Sequence, residues 1–279
     1  MMSQEKNRTI TSIMVHAVLI IVSISMLLPF IWMLLTSFKT LTEATSVNPF
    51  VIFPENLRTE AYEAVSKNMD FVQLYINTLL MIFWRIVCAV LTATLAGYAF
   101  ARLNFPGKNI AFSIVLLQMM IPVQIFLTPQ YLMISKMGLT NTIFALVFPG
   151  LVSAFGTFLL RQGFMKLPKE LEEASYIDGC SIPQTFYYVM LPLTKSSMVA
   201  LGIFTAVIAY KDLLWPMIVN IDKDKLVLSS ALAKLQGQYV AKFPELMAAS
   251  LIACIPMIIL YIIFQKQFVE GIATSGGKL

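Results

Sequence analysis

The stretch LEEASYIDGC, residues 171–180, forms a polar island in an otherwise apolar chain. Hydrophobic residues make up 58% of the 279 residues, charged residues make up 13%, and the mean hydropathy is +0.78. These values lie far from those of soluble globular domains. The basic residues behind the net charge of +5 are scattered singly, which argues against a nucleic-acid-binding stripe. The sequence therefore predicts an integral membrane protein in which the island joins two apolar segments.

Long apolar windows define the predicted spans. A bilayer core about 30 Å thick needs roughly 20 apolar residues of helix. The windows that meet this requirement are 13–35, 71–100, 110–132, 141–161, 196–218 and 246–265. We therefore expect an all-α polytopic membrane protein with six transmembrane helices and both termini on one side. Lys and Arg are in slight excess on that side, so the positive-inside rule predicts that both termini are cytoplasmic.

The polar loop after the first window suggests how the chain is organised. Residues 1–70 are predicted to hold an N-terminal tail, the first helix and an extracytoplasmic loop, because the apolar run of this helix is too long for a signal peptide. Residues 71–265 are predicted to form a core of five helices, in which the connection 161–195 is cytoplasmic. Residues 266–279 are predicted to be a cytoplasmic tail.

The acids of the island stand where a short helix would place them. Pro168 lies where a helix can begin, and Glu170, Glu172 and Glu173 follow in its first turns, where the positive end of the helix dipole favours carboxylates. Gly179 comes after the last turn and can adopt the left-handed conformation that ends a helix. The pattern predicts a helix of roughly nine residues.

A second short helix is predicted directly after the first. Ser181 and Gln184 have the spacing of a capping box, and Pro192 is expected to end the helix. Ala174 and Ser175 keep one side of the first helix thin, so that another protein surface can approach closely.

The island has two possible roles when it is judged by spacing alone. Glu172, Glu173 and Asp178 could offer carboxylates to a basic partner, which would make the island a docking element. Alternatively, the island is a well-capped surface loop whose acids only stabilise the helix dipole. The spacing leaves both interpretations open.

Residues 170–193, ELEEASYIDGCSIPQTFYYVMLPL, resemble the EAA loop of binding-protein-dependent ABC importer permeases. That pattern has Glu-Ala-Ala, a glycine four residues later and then Leu-Pro. Glu173, Ala174, Gly179 and Pro192 match it, and Ser175 stands where the family has its second alanine. Further stretches, 96–108, 213–219 and 265–279, are similar to the maltose-type second permease of the carbohydrate-uptake branch. The resemblance covers essentially the whole chain.

The resemblance implies a type I ABC importer permease whose island is a coupling helix for a cytoplasmic ATPase. The residues implied in ATPase coupling are Glu172, Glu173, Ala174, Ser175, Asp178, Gly179 and Pro192. The chain contains no phosphate-binding loop ending in Gly-Lys-Ser or Gly-Lys-Thr. We therefore expect a transport subunit rather than an enzyme, with no cofactor of its own, because ATP and Mg would bind to the partner ATPase.

The resemblance also implies an assembly. The implied partners are a second homologous permease subunit, two cytoplasmic ATPase subunits, an extracytoplasmic solute-binding protein and a sugar, in a bacterial or archaeal plasma membrane. The leading alternative is an ABC permease for another solute, such as a phosphorylated polyol. A proton-coupled secondary transporter is disfavoured because it would need carboxylates or histidines near the bilayer midplane, and the acids of this chain lie in loops or near helix ends.

Three charged residues near or within the apolar windows are candidates for the substrate pathway. Arg85 lies inside the second window, where a charge is costly and normally faces a partner, a cavity or the interface. Lys211 and Asp212 lie toward one end of the fifth window, and we expect them to extend outward to the interface rather than to touch substrate. If Arg85 and Lys211 both faced a cavity, an anionic sugar would be favoured. Trp215, just beyond them, is predicted to belong to the aromatic belt at the membrane interface.

Metal and catalytic sites are not indicated by the sequence. His16 is the single histidine, and the cysteines Cys88, Cys180 and Cys254 are far apart, so neither a metal-ligand spacing nor a disulfide framework is evident. The sequence has no HExxH motif and no pairing of a nucleophile with a base. We therefore predict neither catalytic residues nor a metal site.

Overall fold

The computed structural model describes residues 2–236 and 242–275. Within these residues the regular structure is helical, which confirms the predicted all-α class. Residues 276–279 of the predicted C-terminal tail lie outside the described part. The chain divides into two compact units, one formed by 1–70 with 232–256 and the other by 71–231 with 257–279.

Helices of very different lengths follow one another along the chain. The first eight are α1 (Met2–Ser37), α2 (Leu41–Thr45), α3 (Glu60–Asn68), α4 (Phe71–Arg102), α5 (Lys108–Met120), α6 (Leu127–Lys136), α7 (Ile143–Val147) and α8 (Ala154–Met165). The others are α9 (Glu170–Ile177), α10 (Ile182–Gln184), α11 (Leu191–Leu193), α12 (Lys195–Lys211), α13 (Leu214–Val219), α14 (Leu228–Leu235) and α15 (Phe243–Ser275). Short 3₁₀ turns precede α6 and follow α7, and a π-helical segment, Thr185–Met190, joins α10 to α11.

Three of the predicted windows lie in unbroken helices, and the other three overlap bent helix pairs. The unbroken helices long and apolar enough to cross a membrane are Thr11–Ser37, Phe71–Arg102 and Phe243–Lys266. Three further spans arise if each bent helix pair counts as one: Lys108–Met120 with Val123–Lys136, Ile143–Gly150 with Ala154–Met165, and Ile182–Leu193 with Lys195–Lys211. The bends are 101°, 51° and 71°, respectively. The described chain therefore has between three and six candidate spans.

In each of the windows 110–132, 141–161 and 196–218 the structure shows a break. At the first break Pro122 lacks an N–H and disfavours a helical conformation in the residue before it. At the second, Ser153 starts a new helix by accepting a hydrogen bond from Gly156 N–H, 2.9 Å away. In the third window α12 ends at Asp212, whose backbone is extended.

The core of the second unit lies where α4 packs along α8 and α12. Glycines on the facing surfaces allow this close approach. A Cβ added to Gly97 would lie 2.8 Å from the Leu160 Cβ, and one added to Gly156 would lie 2.9 Å from the Ala93 Cβ. Small residues at such contacts let membrane helices gain van der Waals packing energy, since lipid offers no hydrophobic drive for helix association.

The first unit holds a long apolar helix and a tethered loop. Side chains 11–32 of α1 are exposed, so this helix presents an apolar surface along most of its length. The loop after α1 is held back onto it, because Ser37 Oγ lies 2.8 Å from the Tyr62 hydroxyl and Lys39 Nζ donates to Val51 O at 2.8 Å. The Lys39 ammonium also lies 4.2 Å from the centre of the Trp32 ring, a cation–π geometry.

Candidate functional site

The polar island folds as the short helix α9, Glu170–Ile177, of 8 residues, as predicted. It ends in a left-handed turn at Gly179, whose φ is 81°. Gly179 N–H donates to Tyr176 O at 3.1 Å, and Cys180 N–H donates to Ser175 O at 2.9 Å. This pair of bonds is a Schellman motif, which satisfies carbonyls at the end of the helix and requires a positive φ at its glycine position.

The chain after the turn begins a second helix with the predicted capping residues. Gln184 Oε1 accepts hydrogen bonds from Ser181 N–H at 2.8 Å and from Ser181 Oγ at 2.7 Å. The helix ends at Leu193, one residue after the predicted end at Pro192, and the chain bends by 71° at the break that follows. The wider turns of the π-helical segment before Pro192 relieve the clash between a proline ring and the preceding turn.

Ser175 connects the buried side of α9 to the π-helical segment that follows α10. Its hydroxyl donates to Glu172 O at 2.7 Å and lies 2.8 Å from Thr185 Oγ1, and both Ser175 and Thr185 are buried. An alanine, the family residue at this position, could not make either contact. The structure therefore gives Ser175 a role in holding α9 in place, beyond keeping the helix thin.

Glu172 also lies on the buried side of α9. Its Oε2 is 3.6 Å from Arg102 Nη1, and the two side chains are 12% and 6% exposed. The expectation that Glu172 offers its carboxylate to an outside partner is therefore corrected. A buried guanidinium without a counter-charge would be costly, and this carboxylate turns inward to pair with it.

The outer face of α9 remains free to meet a partner. Glu173, Ala174 and Asp178 are all exposed, as the docking interpretation requires. Next to them Ile177 is 86% exposed, although no sequence motif includes it. The sequence does hold one indication of this exposed residue. An isoleucine stands directly before the Asp-Gly turn, where a solvated helix end would normally be polar. The outer face of α9 therefore presents an apolar side chain between two carboxylates.

A second polar site surrounds Arg85 in the middle of α4. Arg85 Nη1 lies 2.8 Å from Asp212 Oδ2, with the side chains 6% and 22% exposed. Arg85 Nε and Nη2 donate to Leu146 O at 2.8 and 2.6 Å. The pairing alternative for Arg85 is therefore realised in this structure. Asp212 was expected to extend outward and instead turns inward to neutralise the guanidinium, whereas Lys211 is exposed.

Side chains near Arg85 also donate hydrogen bonds to the backbone around the break between α7 and α8. Trp215 Nε1 donates to Ala145 O at 2.8 Å, and Thr92 Oγ1 donates to Leu151 O at 3.1 Å. Such backbone is tolerated at membrane depth only when it is buried in protein or lines a cavity. Trp215 was predicted to be a membrane-interface aromatic, but it is fully buried in the core.

An apolar cavity of about 670 Å³ lies in the second unit between α4, α12 and α15. The polar lining residues are Thr94, Tyr187 and Lys195, and the others, such as Val90, Ile203 and Phe264, are hydrophobic. A sugar placed here would leave most of its hydroxyls without hydrogen-bond partners, which is unfavourable. This cavity is therefore a poor candidate for a sugar-binding site.

Comparison with known proteins identifies the family. The model of the family "Binding-protein-dependent transport system inner membrane component" matches residues 89–274. An arabinooligosaccharides transport system permease protein of Halalkalibacterium halodurans is 35% identical over 69% of this chain and 69% of its own length. A diacetylchitobiose uptake system permease protein of Streptomyces coelicolor is 28% identical over 92% of this chain and 86% of its own length. An sn-glycerol-3-phosphate transport system permease protein of Salmonella typhi is 31% identical over 79% and 80%, respectively.

A solved structure gives the same fold. It belongs to a bacterial ABC transporter involved in the import of the acidic polysaccharide alginate, and it superposes with a TM-score of 0.78 at 22% identity, covering 92% of this chain and 96% of that one. The fold and the family match agree with each other. The chain belongs to the family of inner membrane components of binding-protein-dependent transport systems, and it is a permease subunit.

Proposed function

We propose that this chain is the permease subunit of an ATP-driven importer for a sugar or oligosaccharide. The observation that carries the proposal is α9, an eight-residue helix with an anchored inner face and an outer face that exposes Glu173, Ala174, Ile177 and Asp178. The sugar is supported by the names of the arabinooligosaccharide and diacetylchitobiose permeases to which the chain is similar.

In this proposal α9 is the coupling helix that docks on a cytoplasmic ATPase. Glu173 and Asp178 face basic groups of the ATPase, Ala174 allows close approach, and Ile177 enters an apolar groove. Gly179 sets the direction of the chain after the helix. Glu172, Ser175 and Pro192 act from the inner side, where Glu172 pairs with Arg102 and Ser175 contacts Thr185.

The chain converts motion of the ATPase into motion of its membrane helices. ATP and Mg bind to the partner ATPase subunits, and this chain supplies no cofactor site. Closure of two ATPase subunits moves two coupling helices, and the attached helices shift so that the pathway opens alternately to the two sides. Such a cycle is a population shift between two packings, driven by the different affinity of each ligand for the two states.

The assembly we propose contains a second homologous permease subunit, two ATPase subunits and an extracytoplasmic solute-binding protein. The second permease is supported by the apolar character of the cavity in this chain, which leaves the polar contacts to a sugar to be made elsewhere. Both termini are cytoplasmic in this arrangement, with α9 on the same side. The membrane is the plasma membrane of a bacterium or an archaeon.

The Arg85 site supports one choice for the charge of the substrate. The Arg85 guanidinium is neutralised by Asp212, so it is not a free cation for an anionic solute, and this supports an uncharged sugar. The alternative is a phosphorylated polyol, favoured by the similarity to an sn-glycerol-3-phosphate permease. In that case the exposed Lys211 is the remaining candidate contact in this chain for a phosphate group.

Reconstitution of the whole complex tests the substrate class. ATP hydrolysis by the complex with its solute-binding protein would be measured with neutral oligosaccharides and with sn-glycerol-3-phosphate. Stimulation by a neutral oligosaccharide alone is the expected result. Stimulation by the phosphate ester alone would show that the solute is a phosphorylated polyol rather than a sugar. Uptake that needs a proton gradient but no ATP would contradict the proposal of an ATP-driven importer.

A further inference from the structure

Arg102 is the last residue of α4 and lies at a junction of three segments. Its side chain is 6% exposed, and its Nη2 donates to Phe164 O at 2.6 Å and to Leu167 O at 2.5 Å. These carbonyls belong to the C-terminal end of α8 and to the residues just after it. Its Nη1 lies 3.6 Å from Glu172 Oε2 in the first turn of α9. One guanidinium therefore joins the end of α4 to α8 and α9.

The chemistry of this junction suits arginine in particular. Carbonyls at the C-terminal end of a helix have no partner within the helix, and a cation there also interacts favourably with the helix dipole. The planar guanidinium carries five N–H donors in a fixed fork, so it can hold carbonyls on one side while it faces a carboxylate on another. A lysine ammonium has no such fixed geometry.

Aromatic packing and a hydroxyl pair join the same segments a second time. The Tyr98 ring, one turn before Arg102, packs on Phe164 of α8 and on Phe186 of the π-helical segment, with ring centres 5.4 and 4.9 Å apart. The inner face of α9 is held to that segment by the pair of Ser175 and Thr185. The inner face of α9 is thus held at two points, by Arg102 through Glu172 and by Thr185 through Ser175.

We propose that Arg102 and Glu172 form the joint through which α9 moves α4 and α8 as one body. Both are positioning residues, and they set how much solute crosses the membrane for each ATP hydrolysed. The inference rests on the proposed function, because it takes α9 to be the helix that the ATPase moves. The two neighbouring acids then have different roles: the exposed Glu173 contacts the ATPase, and the inward-facing Glu172 transmits the motion.

The test is Glu172→Gln in the complete transporter, with Glu170→Gln as the matched control. Glutamine keeps the size of the side chain and removes its charge, while Arg102 keeps both carbonyls. Glu170 is an exposed acid of the same helix turn, so its replacement removes the same charge from the same helix dipole. Three quantities are measured for each variant: the ATPase subunits recovered with the chain, the rate of ATP hydrolysis, and the sugar taken up per ATP.

The expected result is that Glu172→Gln retains its ATPase subunits and still hydrolyses ATP, while uptake per ATP falls by a factor of about five or more, the lower end of usual coupling energies. Glu170→Gln should keep the wild-type ratio. A purely structural role for Glu172 would lower the amount of complex without changing the ratio, and that result would overturn the proposal, as would an unchanged ratio.

Two other outcomes separate this inference from the proposed function. Loss of the ATPase subunits from Glu172→Gln but not from Glu170→Gln would make Glu172 a docking contact, which overturns the joint and leaves the proposed function intact. If no ATPase is recovered with the wild-type chain, the proposed function is overturned.

If Glu172→Gln does not accumulate in the membrane, Arg102→Lys is measured in the same way. It should also lower uptake per ATP, because a lysine keeps the charge but lacks the planar set of N–H donors.

Discussion

Arg85 of the unbroken helix α4 and Asp212 at the end of α12 form an ion pair, with 2.8 Å between Nη1 and Oδ2 and side chains that are 6% and 22% exposed. Arg85 also donates twice to Leu146 O, near the end of α7, and Asp212 is the residue at which α12 ends. Arg85 of α4 therefore donates to the backbone beside one break and pairs with the charge at another. An aliphatic residue in place of Arg85 would remove these two donors to Leu146 O.

Asp212→Ala should destabilise the chain severely. Removal of one partner from a buried ion pair leaves an unpaired charge and typically costs about 3–5 kcal/mol. The midpoint of thermal unfolding in detergent is the measurement, with Lys211→Ala as the control because its side chain is exposed. The double variant Arg85→Met with Asp212→Leu should lose less stability than the two single changes added together. Additive losses would mean that the pair does not interact energetically.

Gly97→Ala should destabilise the packing of α4 on α8. Its new Cβ would lie 2.8 Å from the Leu160 Cβ and 2.9 Å from the Arg161 backbone nitrogen, so backbone must shift. Overpacking of this kind costs about 1–3 kcal/mol. Gly202→Ala is the matched control, because its Cβ would make an ordinary contact of 3.5 Å with Ile86. Equal melting temperatures for the two variants would contradict the close approach of α4 and α8.

Gly179 should tolerate no ordinary side chain without a change at the coupling turn. An added Cβ meets no atom within 4 Å, so the penalty comes from the backbone, whose φ is 81°. Alanine there costs about 1–2 kcal/mol, and proline cannot adopt that φ at all. We expect Gly179→Pro to leave the chain in the membrane but to uncouple uptake from ATP hydrolysis. Uptake at the wild-type rate in Gly179→Pro would show that the turn has no part in coupling.

Ile177→Asp should weaken binding of the ATPase without destabilising the chain. Ile177 is 86% exposed, so nothing within this chain depends on its side chain. Burial of an isoleucine in a partner groove contributes about 1.5–3 kcal/mol, which corresponds to a loss of affinity of roughly 10- to 100-fold. Val47→Asp is the control, because Val47 is 84% exposed in the other unit. Equal ATPase affinity in the two variants would remove Ile177 from the docking surface.

The parts of the fold that depend on local sequence were predictable. Window length and hydropathy placed the candidate spans, since the bilayer thickness sets the number of residues needed. The acids of α9, Gly179 and the pair of Ser181 and Gln184 are local signals of helix ends, and each has the expected position in the structure. The break at Pro122 also has a local cause.

The parts that depend on distant residues were not predictable. Whether Glu172 faces outward or pairs with Arg102 is decided by the packing of α4 beside α9, which no spacing within the island reports. The inward turn of Asp212 depends in the same way on Arg85, which lies on another helix. Trp215 can be buried because its N–H donates to Ala145 O, on another helix. A tryptophan near the end of an apolar window is equally typical of the membrane interface, so the sequence does not distinguish the two positions.

The central claim is that α9 couples this permease to an ATPase, and purification tests it most directly. The tagged chain and its Glu173→Lys variant would be purified in mild detergent from the native membrane, and the proteins recovered with each would be identified by mass spectrometry. We predict that the wild-type chain brings an ATPase and a second permease, and that Glu173→Lys keeps the second permease and loses most of the ATPase. Recovery of the wild-type chain alone, or equal recovery of the ATPase with both chains, would contradict the account.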